Sequence, residues 1–96
     1  RRCYSQIFYY RTKSGREIDF IVQNADRTRK LIQVCDNLNL PATRARELQA
    51  LEEAMTERKT SEGFIVTRSQ SETIKVSAGK IFVVPAWKFL LELENQ

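Results

Sequence analysis

The chain has 96 residues, with 16 Lys plus Arg against 12 Asp plus Glu, no His and two Cys. This length fits one domain, and 42% hydrophobic with 29% charged residues is typical of a folded globular protein rather than a disordered segment. The lack of His excludes Ser-His-Asp and Cys-His nucleophile pairs and His-ligated zinc, and two Cys are too few for an all-Cys zinc site.

The chain shows no apolar run near the ~20 residues of a membrane span and no signal-peptide pattern. We therefore expect a cytoplasmic protein that has no membrane partner. Because the sequence starts without Met, we also expect residues 1–96 to be one domain from the C-terminal part of a longer protein.

The first part of the chain predicts an antiparallel meander of three strands. Aromatic and β-branched residues indicate strands over 6–10 and 17–22, joined by a turn around Gly15. A second turn over 24–27 leads to a third strand over 31–35.

A helix is predicted next, because Pro41 suits a first helical turn and apolar residues recur every three or four positions. Its apolar stripe is predicted to face the sheet, and Glu47 is predicted to lie off that stripe. The stripe consists of Ala45, Leu48, Leu51 and Met55.

The last part of the chain predicts a strand over 63–67, parallel to the third strand through the crossover helix. A hairpin of strands 73–76 and 80–84 follows. Pro85 ends the last strand, and a short helix is predicted with Trp87, Leu90 and Leu91 on its apolar side. Trp87 fits either the core under this helix or an interface with another domain.

Four polar or thiol side chains are predicted to share one face of the second and third strands. Side chains alternate with period two, so a core face made of Ile18, Phe20, Val22, Ile32 and Val34 leaves the other face to Glu17, Asp19, Gln33 and Cys35. Carboxylate and amide oxygens are ligands that Mg²⁺ prefers, so Glu17, Asp19 and Gln33 are candidate metal-site residues. The alternative is an ordinary solvent-exposed strand face.

Positive charge is concentrated at the start of the chain, where residues 1–30 hold eight bases and three acids, a net charge of +5. The rest of the chain carries −1. The candidate phosphate contacts are Arg11, Lys13, Arg16, Arg27, Arg29 and Lys30. The alternative is a solvated surface, because most of these residues fall at predicted turns.

The segment from Tyr9 to Phe20, with Arg-Thr followed by Gly-Arg-Glu-Ile-Asp-Phe, resembles the C-terminal domain of a bacterial and archaeal family of predicted AAA-type ATPases. The ending Gly79-Lys80-Ile81-Phe82-Val83-Val84-Pro85 fits the same domain. The resemblance covers nearly the whole chain and implies an upstream ATPase domain as a partner in the same protein. No Gly-rich phosphate loop is visible within these residues.

That C-terminal domain is similar to the PD-(D/E)XK nuclease fold, the restriction-endonuclease-like architecture. The nuclease pattern implies an Asp on one strand, then an acid or Gln and a Lys on the next. Asp19 and Gln33 match the first two positions, and Cys35 stands where the Lys is expected. Loss of such a group costs about 10²–10⁴-fold in rate, and Arg44 and Lys30 are the alternative sources of a cation.

The sequence thus predicts an α/β, restriction-endonuclease-like fold with a mixed sheet, a crossover helix and a short C-terminal helix. The expected function is a degenerate, non-catalytic nuclease-like module that binds nucleic acid or a protein partner, with no firm cofactor. An active Mg²⁺-dependent nuclease and an oligomerisation or regulatory module are the alternatives. The catalytic set, in degenerate form, is Asp19, Gln33 and Cys35.

Overall fold

The computed structural model describes the backbone of residues 4–24 and 29–94, and the side chains of 9–19 and 30–91. Six strands and two helices lie in this part of the chain. In chain order they are β1 (Tyr4–Arg11), β2 (Glu17–Asn24), β3 (Arg29–Val34), α1 (Pro41–Arg58), β4 (Glu62–Thr67), β5 (Glu72–Val76), β6 (Gly79–Pro85) and α2 (Ala86–Glu94).

One mixed sheet contains all six of these strands, in the order β1-β2-β3-β4-β6-β5. β1, β2 and β3 form the predicted antiparallel meander, and β4 pairs with β3 in parallel after the chain crosses over through α1. β6 is parallel to β4, and β5 pairs antiparallel with β6 at the edge. The predicted mixed α/β fold is confirmed. The hairpin of β5 and β6 inserts its second strand next to β4, which places a run of apolar residues in the middle of the sheet.

Helix α1 packs on one face of the sheet, and three of the four predicted stripe residues, Leu48, Leu51 and Met55, lie in or against the core there. Ala50, Leu51, Ala54 and Met55 are buried, whereas Ala45 is exposed. Residues three or four positions apart share one side of a helix, so Glu47 lies on the same side as the buried Leu51 and Ala54, and Ala45 lies outside that side. The prediction was wrong about Ala45 and Glu47 because it continued the apolar stripe one turn too far toward the N-terminus.

The main core fills the space between α1 and the sheet. Its sheet side consists of residues at alternate positions of the strands, as expected for a sheet with one covered face. These are Ile18, Leu31, Ile65, Ile81 and Val83, all 1% exposed or less.

A smaller core lies on the opposite face, where α2 covers Ile32 and Val66. Its anchor is Phe89, which is 8% exposed, whereas Trp87 is 62% exposed and Leu90 and Leu91 are also exposed. The residues predicted to form the apolar side of this helix are therefore exposed, and the core alternative for Trp87 is wrong. Because α2 begins immediately after β6, the short junction sets which side of the helix meets the sheet, and Ala86 and Phe89 fall on that side.

Candidate functional site

Strand β2 carries a β-bulge at the predicted catalytic carboxylate. Two residues of β2, Asp19 and Phe20, oppose the single residue Tyr9 of β1. An extra residue in one strand reverses the alternation of its faces beyond that point. Ile18 is buried against α1, and the register pairs Ile21, three positions later, with a residue of β3 that also lies against α1.

This bulge overturns the predicted sorting of side chains between the two faces. Ile18 and Ile32 belong to cores on opposite sides of the sheet, and Val34 is exposed. Gln33, which was predicted to lie outside the core, is only 4% exposed beneath α1. The prediction assumed an unbroken period of two in β2, and it took the core face of β3 to be the one that contains Ile32 rather than Leu31.

Asp19 and Gln33 lie together where β2 and β3 separate. The backbone ladder between these strands reaches only to the pair of Phe20 and Ile32. Beyond it, the backbone N–H of Val34 donates to Asp19 Oδ2 at 2.7 Å, and the backbone N–H of Asp19 donates to Gln33 Oε1 at 2.9 Å. Side chains therefore make the hydrogen bonds that the backbone makes elsewhere in the sheet.

Glu47 of α1 completes this arrangement, although it was not among the site residues predicted from the sequence. Gln33 Nε2 donates to Glu47 Oε1 at 2.9 Å, and the Glu47 side chain is only 16% exposed. The sequence feature that could have identified Glu47 is its position four residues before Leu51, which places both residues on the same side of the helix. We call Asp19, Gln33 and Glu47 the carboxylate–amide cluster.

Cys35 lies immediately beyond β3, beside the cluster. Its Sγ donates to the backbone carbonyl of Asn37 at 3.6 Å, and the side chain packs against the main core. Burial raises the pKa of the Cys35 thiol, and the negative charges of Glu47, Asp19 and Asp36 raise it further, while Arg46 lowers it. Cys35 is therefore a neutral thiol near pH 7 and supplies no positive charge to the cluster.

Neither alternative source of a cation reaches the cluster. The guanidinium of Arg44 makes two hydrogen bonds to Glu72, at 3.1 and 2.6 Å. Lys30 lies on the other face of the sheet, with its Nζ 5.4 Å from the centre of the Phe64 ring.

Glu17 and the basic residues of the first hairpin are engaged elsewhere. Arg11 pairs with Glu17 at 2.5 Å, and both side chains are mostly exposed. Arg16 lies 3.3 Å from Glu53 of α1, and the backbone N–H of Lys13 donates to Glu57 at 2.9 Å. The basic turn thus contacts an acidic side of α1, which reduces its attraction for phosphate.

The remaining predicted phosphate contacts divide between the other sheet face and the undescribed part of the chain. Lys30 lies on the face opposite α1. Arg27 lies outside the described residues, and for Arg29 the structure describes the backbone in β3 but not the side chain. The described candidates therefore do not form one continuous basic surface.

Comparison with models of protein families matches residues 1–89 to the Domain of unknown function (DUF4143). The chain belongs to this family. The comparisons with curated proteins and with solved structures give no match. The part of this DUF4143 domain that the structure describes contains no helix that is both long and apolar enough to cross a membrane.

The oxygen atoms of the cluster do not, as arranged, fit a Mg²⁺ ion in this DUF4143 domain. Asp19 Oδ2 and Gln33 Oε1 both accept backbone N–H groups, and Glu17 is paired with Arg11. No group of three or more His, Cys, Asp or Glu side chains that could hold a metal occurs among the described residues. The metal site remains a prediction that this donor geometry does not favour.

The carboxyl of Glu47 has a raised pKa. Burial raises the pKa of its carboxyl, which Arg46 lowers and the negative charge of Asp19 raises again, and the hydrogen bond from Gln33 lowers it. The net shift is upward, so the folded state binds the Glu47 proton more tightly than the unfolded state does. The stabilising contribution of this group is complete below the unfolded pKa near 4.5 and is lost as the pH rises through the folded pKa.

We expect Glu47→Gln to raise the free energy of unfolding at pH 7, because the amide keeps the acceptor for Gln33 without burying a charge. The gain should shrink as the pH falls and vanish below about pH 4.5. Urea unfolding across this range measures the difference. Glu57→Gln is the control with the opposite sign, since the hydrogen bond from Tyr10 lowers the pKa of Glu57. A loss of stability in Glu47→Gln at pH 7 would contradict the buried-charge interpretation.

Proposed function

We propose that this DUF4143 domain is a non-catalytic, nuclease-like module that binds nucleic acid beside an ATPase domain of the same protein. The observation that carries the proposal is the pairing of Asp19 and Gln33 at the separated ends of β2 and β3. These are the positions at which the PD-(D/E)XK resemblance implies catalytic groups.

The absence of catalysis is proposed from the chemistry of the same place. Cys35 stands at the expected Lys position and is a neutral thiol, and Arg44 is held by Glu72. The oxygens that would serve a reaction are instead used to hold the two strands together. A site of this kind supports the fold rather than phosphodiester cleavage.

Binding to nucleic acid is proposed from the net charge of +4 together with the resemblance of the sequence to nuclease-like domains. A gel shift at low and at moderate salt tests it, because phosphate contacts weaken as salt rises. No shift with any DNA or RNA at low salt would refute binding. The ATPase context is tested by the full-length coding sequence, in which a P-loop upstream of this domain is expected.

An active metal-dependent nuclease is the second candidate, and the observation in its favour is Glu47. Its carboxylate adds to that of Asp19, whose negative charge helps to raise the pKa of Glu47. Together with the Gln33 amide they are the kinds of groups that such enzymes use.

A module for oligomerisation or regulation is the third candidate, and the exposed apolar side of α2 favours it. Trp87, Leu90 and Leu91 all face away from the sheet. Size-exclusion chromatography with light scattering measures the oligomeric state, and a monomer at high concentration would remove self-association from consideration.

We expect the purified domain to leave plasmid and linear DNA intact in Mg²⁺ or Mn²⁺. Cys35→Lys tests descent from a nuclease, because it restores the cation that the nuclease pattern implies at this position. A Lys at this position would place an ammonium beside Asp19 and Glu47, whose charges already influence the thiol. Cys35→Met is the control, because it adds comparable length without charge.

Three results of this assay bear on the candidates. Cleavage by the unmodified domain that Asp19→Ala abolishes would establish the active nuclease and refute the non-catalytic proposal. Cleavage by Cys35→Lys but not by Cys35→Met would support descent from a nuclease. Equal inactivity of both variants, with folding intact by circular dichroism, would count against that descent.

A further inference from the structure

The sheet face opposite α1 is only partly covered. Helix α2 lies over one end of it, where Phe89 packs against Ile32 and Val66. The other end of the face, formed by β3, β4, β6 and β5, has no helix over it among the described elements. We call this part the open face.

A row of lysines crosses the open face. Lys80 of β6 has Lys75 of β5 as its partner on one side and Glu62 of β4 on the other. Lys30 of β3 belongs to the same end, since its Nζ lies over the ring of Phe64 at 5.4 Å. Among the described side chains none of these lysines makes an ion pair, in contrast to Arg11, Arg16, Arg44 and Arg68. Glu62 is the acid in this row, so the open face keeps a net positive charge.

An aromatic pair lies directly beside the lysines. Phe64 and Phe82 are partners in adjacent parallel strands, with ring centroids 5.5 Å apart and an interplanar angle of 33°. Both are half-buried. Phe64 also packs against Phe89 of α2, with ring centroids 6.2 Å apart, so Phe82 is the ring of the pair that extends away from α2. The position next to them in β5 is Thr73, a small polar residue that leaves the surface flat.

The aromatic rings and the lysine ammonium groups are complementary to the two parts of a nucleotide, the base and the phosphate. Adjacent strands lie about 4.8 Å apart, so the lysine row spans a distance that an extended sugar–phosphate backbone can follow. Bases stack on aromatic side chains with little preference for sequence, but only where their faces are free, as in a single strand. Known domains that bind single-stranded RNA use a β-sheet whose aromatic side chains stack on the nucleobases.

We propose that the open face binds single-stranded nucleic acid, with a base against Phe82, which Phe64 supports from the neighbouring strand, and phosphates at Lys30, Lys75 and Lys80. This inference rests on the nucleic-acid binding proposed above and specifies the surface and the class of ligand. The surface lies opposite Gln33 and α1, so it is independent of the carboxylate–amide cluster. It also differs from the basic hairpin turn, whose Arg16 is paired with Glu53.

The test is fluorescence anisotropy with a labelled 12-nucleotide oligo-dT, the same length of oligo-U and a 12-base-pair duplex, over a salt series. Lys75→Gln with Lys80→Gln removes two charges from the open face. Lys13→Gln with Lys59→Gln is the matched control, since it removes the same charge from the hairpin turn and the end of α1. Phe82→Leu removes a ring while keeping apolar volume, and circular dichroism checks the fold of each variant.

We expect the open-face pair to weaken single-strand binding about tenfold or more at low salt, with a smaller salt dependence, and the control pair to have a lesser effect. Phe82→Leu is expected to weaken binding about tenfold. If the domain binds only duplex, or if the control pair matters more, the open face is refuted while nucleic-acid binding stands. If no oligonucleotide binds at low salt, both proposals fail.

Discussion

Gly79→Ala is expected to reduce the free energy of unfolding by about 4 kcal/mol or more, out of the roughly 5–15 kcal/mol that a domain of this kind possesses. Gly79 begins β6 with a φ of +150°, a conformation that residues with a Cβ rarely adopt. An added Cβ would overlap the backbone carbonyl oxygen of Ser61 and lie 2.9 Å from its Cα. That carbonyl accepts a hydrogen bond from Lys80 at 2.9 Å, so moving it breaks a contact at the start of the β4–β6 pairing.

Thermal unfolding followed by circular dichroism measures this effect, and a fall in Tm of about 20 °C or more is expected. Gly15→Ala is the matched control. Gly15 also has a positive φ, +92°, but nothing lies within 4 Å of an added Cβ. Gly15→Ala should lower the free energy of unfolding only by the backbone strain, about 1–2 kcal/mol. Equal losses in the two variants would show that the contact with Ser61 contributes nothing beyond that strain.

Gln33→Met is expected to cost about 2–4 kcal/mol, because it preserves volume but removes both hydrogen bonds of a side chain that is 4% exposed. The Asp19 N–H loses its acceptor, and the Glu47 carboxylate loses its donor in a mostly buried place. Urea unfolding measures the loss. Gln49→Met, at an exposed position of α1, is the control and should change stability by no more than about 0.5 kcal/mol.

A double-mutant cycle identifies the cause of that loss. Glu47→Leu added to Gln33→Met removes the unpaired carboxylate, so the double variant should be more stable than the sum of the two single losses predicts. The expected coupling between the two sites is about 0.5–3 kcal/mol. Strictly additive losses would show that the Gln33–Glu47 hydrogen bond does not connect the helix to the sheet.

The elements of the fold were predictable because each depends on local chemistry. Alternating β-branched residues, the turn at Gly15 and the helix after Pro41 lie within a few residues of the strands and helix found there. The parallel pairing of β3 and β4 was also predictable, because parallel strands need a crossover connection and the helix between them supplies it.

The composition of the candidate site was only partly predictable. Asp19 and Gln33 were expected to be neighbours because adjacent antiparallel strands bring their residues together, and a hydrogen bond joins them. Glu47 was missed because its inward direction depends on how α1 is rotated against the sheet, and Phe89 was missed because the rotation of α2 depends on the junction after β6. Such rotations are set by the packing of whole surfaces, which no single segment of sequence specifies.

The sequence by itself determined the type of each element, the parallel step from β3 to β4 and the neutral residue at position 35. Only the tertiary structure decided which faces those elements bury. A bulge interrupts the alternation of β2 at Asp19, the face of β3 that meets α1 contains Leu31 and Gln33, and Phe64, Phe82 and the lysines lie on the opposite face. The physical reason is that periodicity fixes the relation between residues within one element, whereas burial is a property of the contacts between elements.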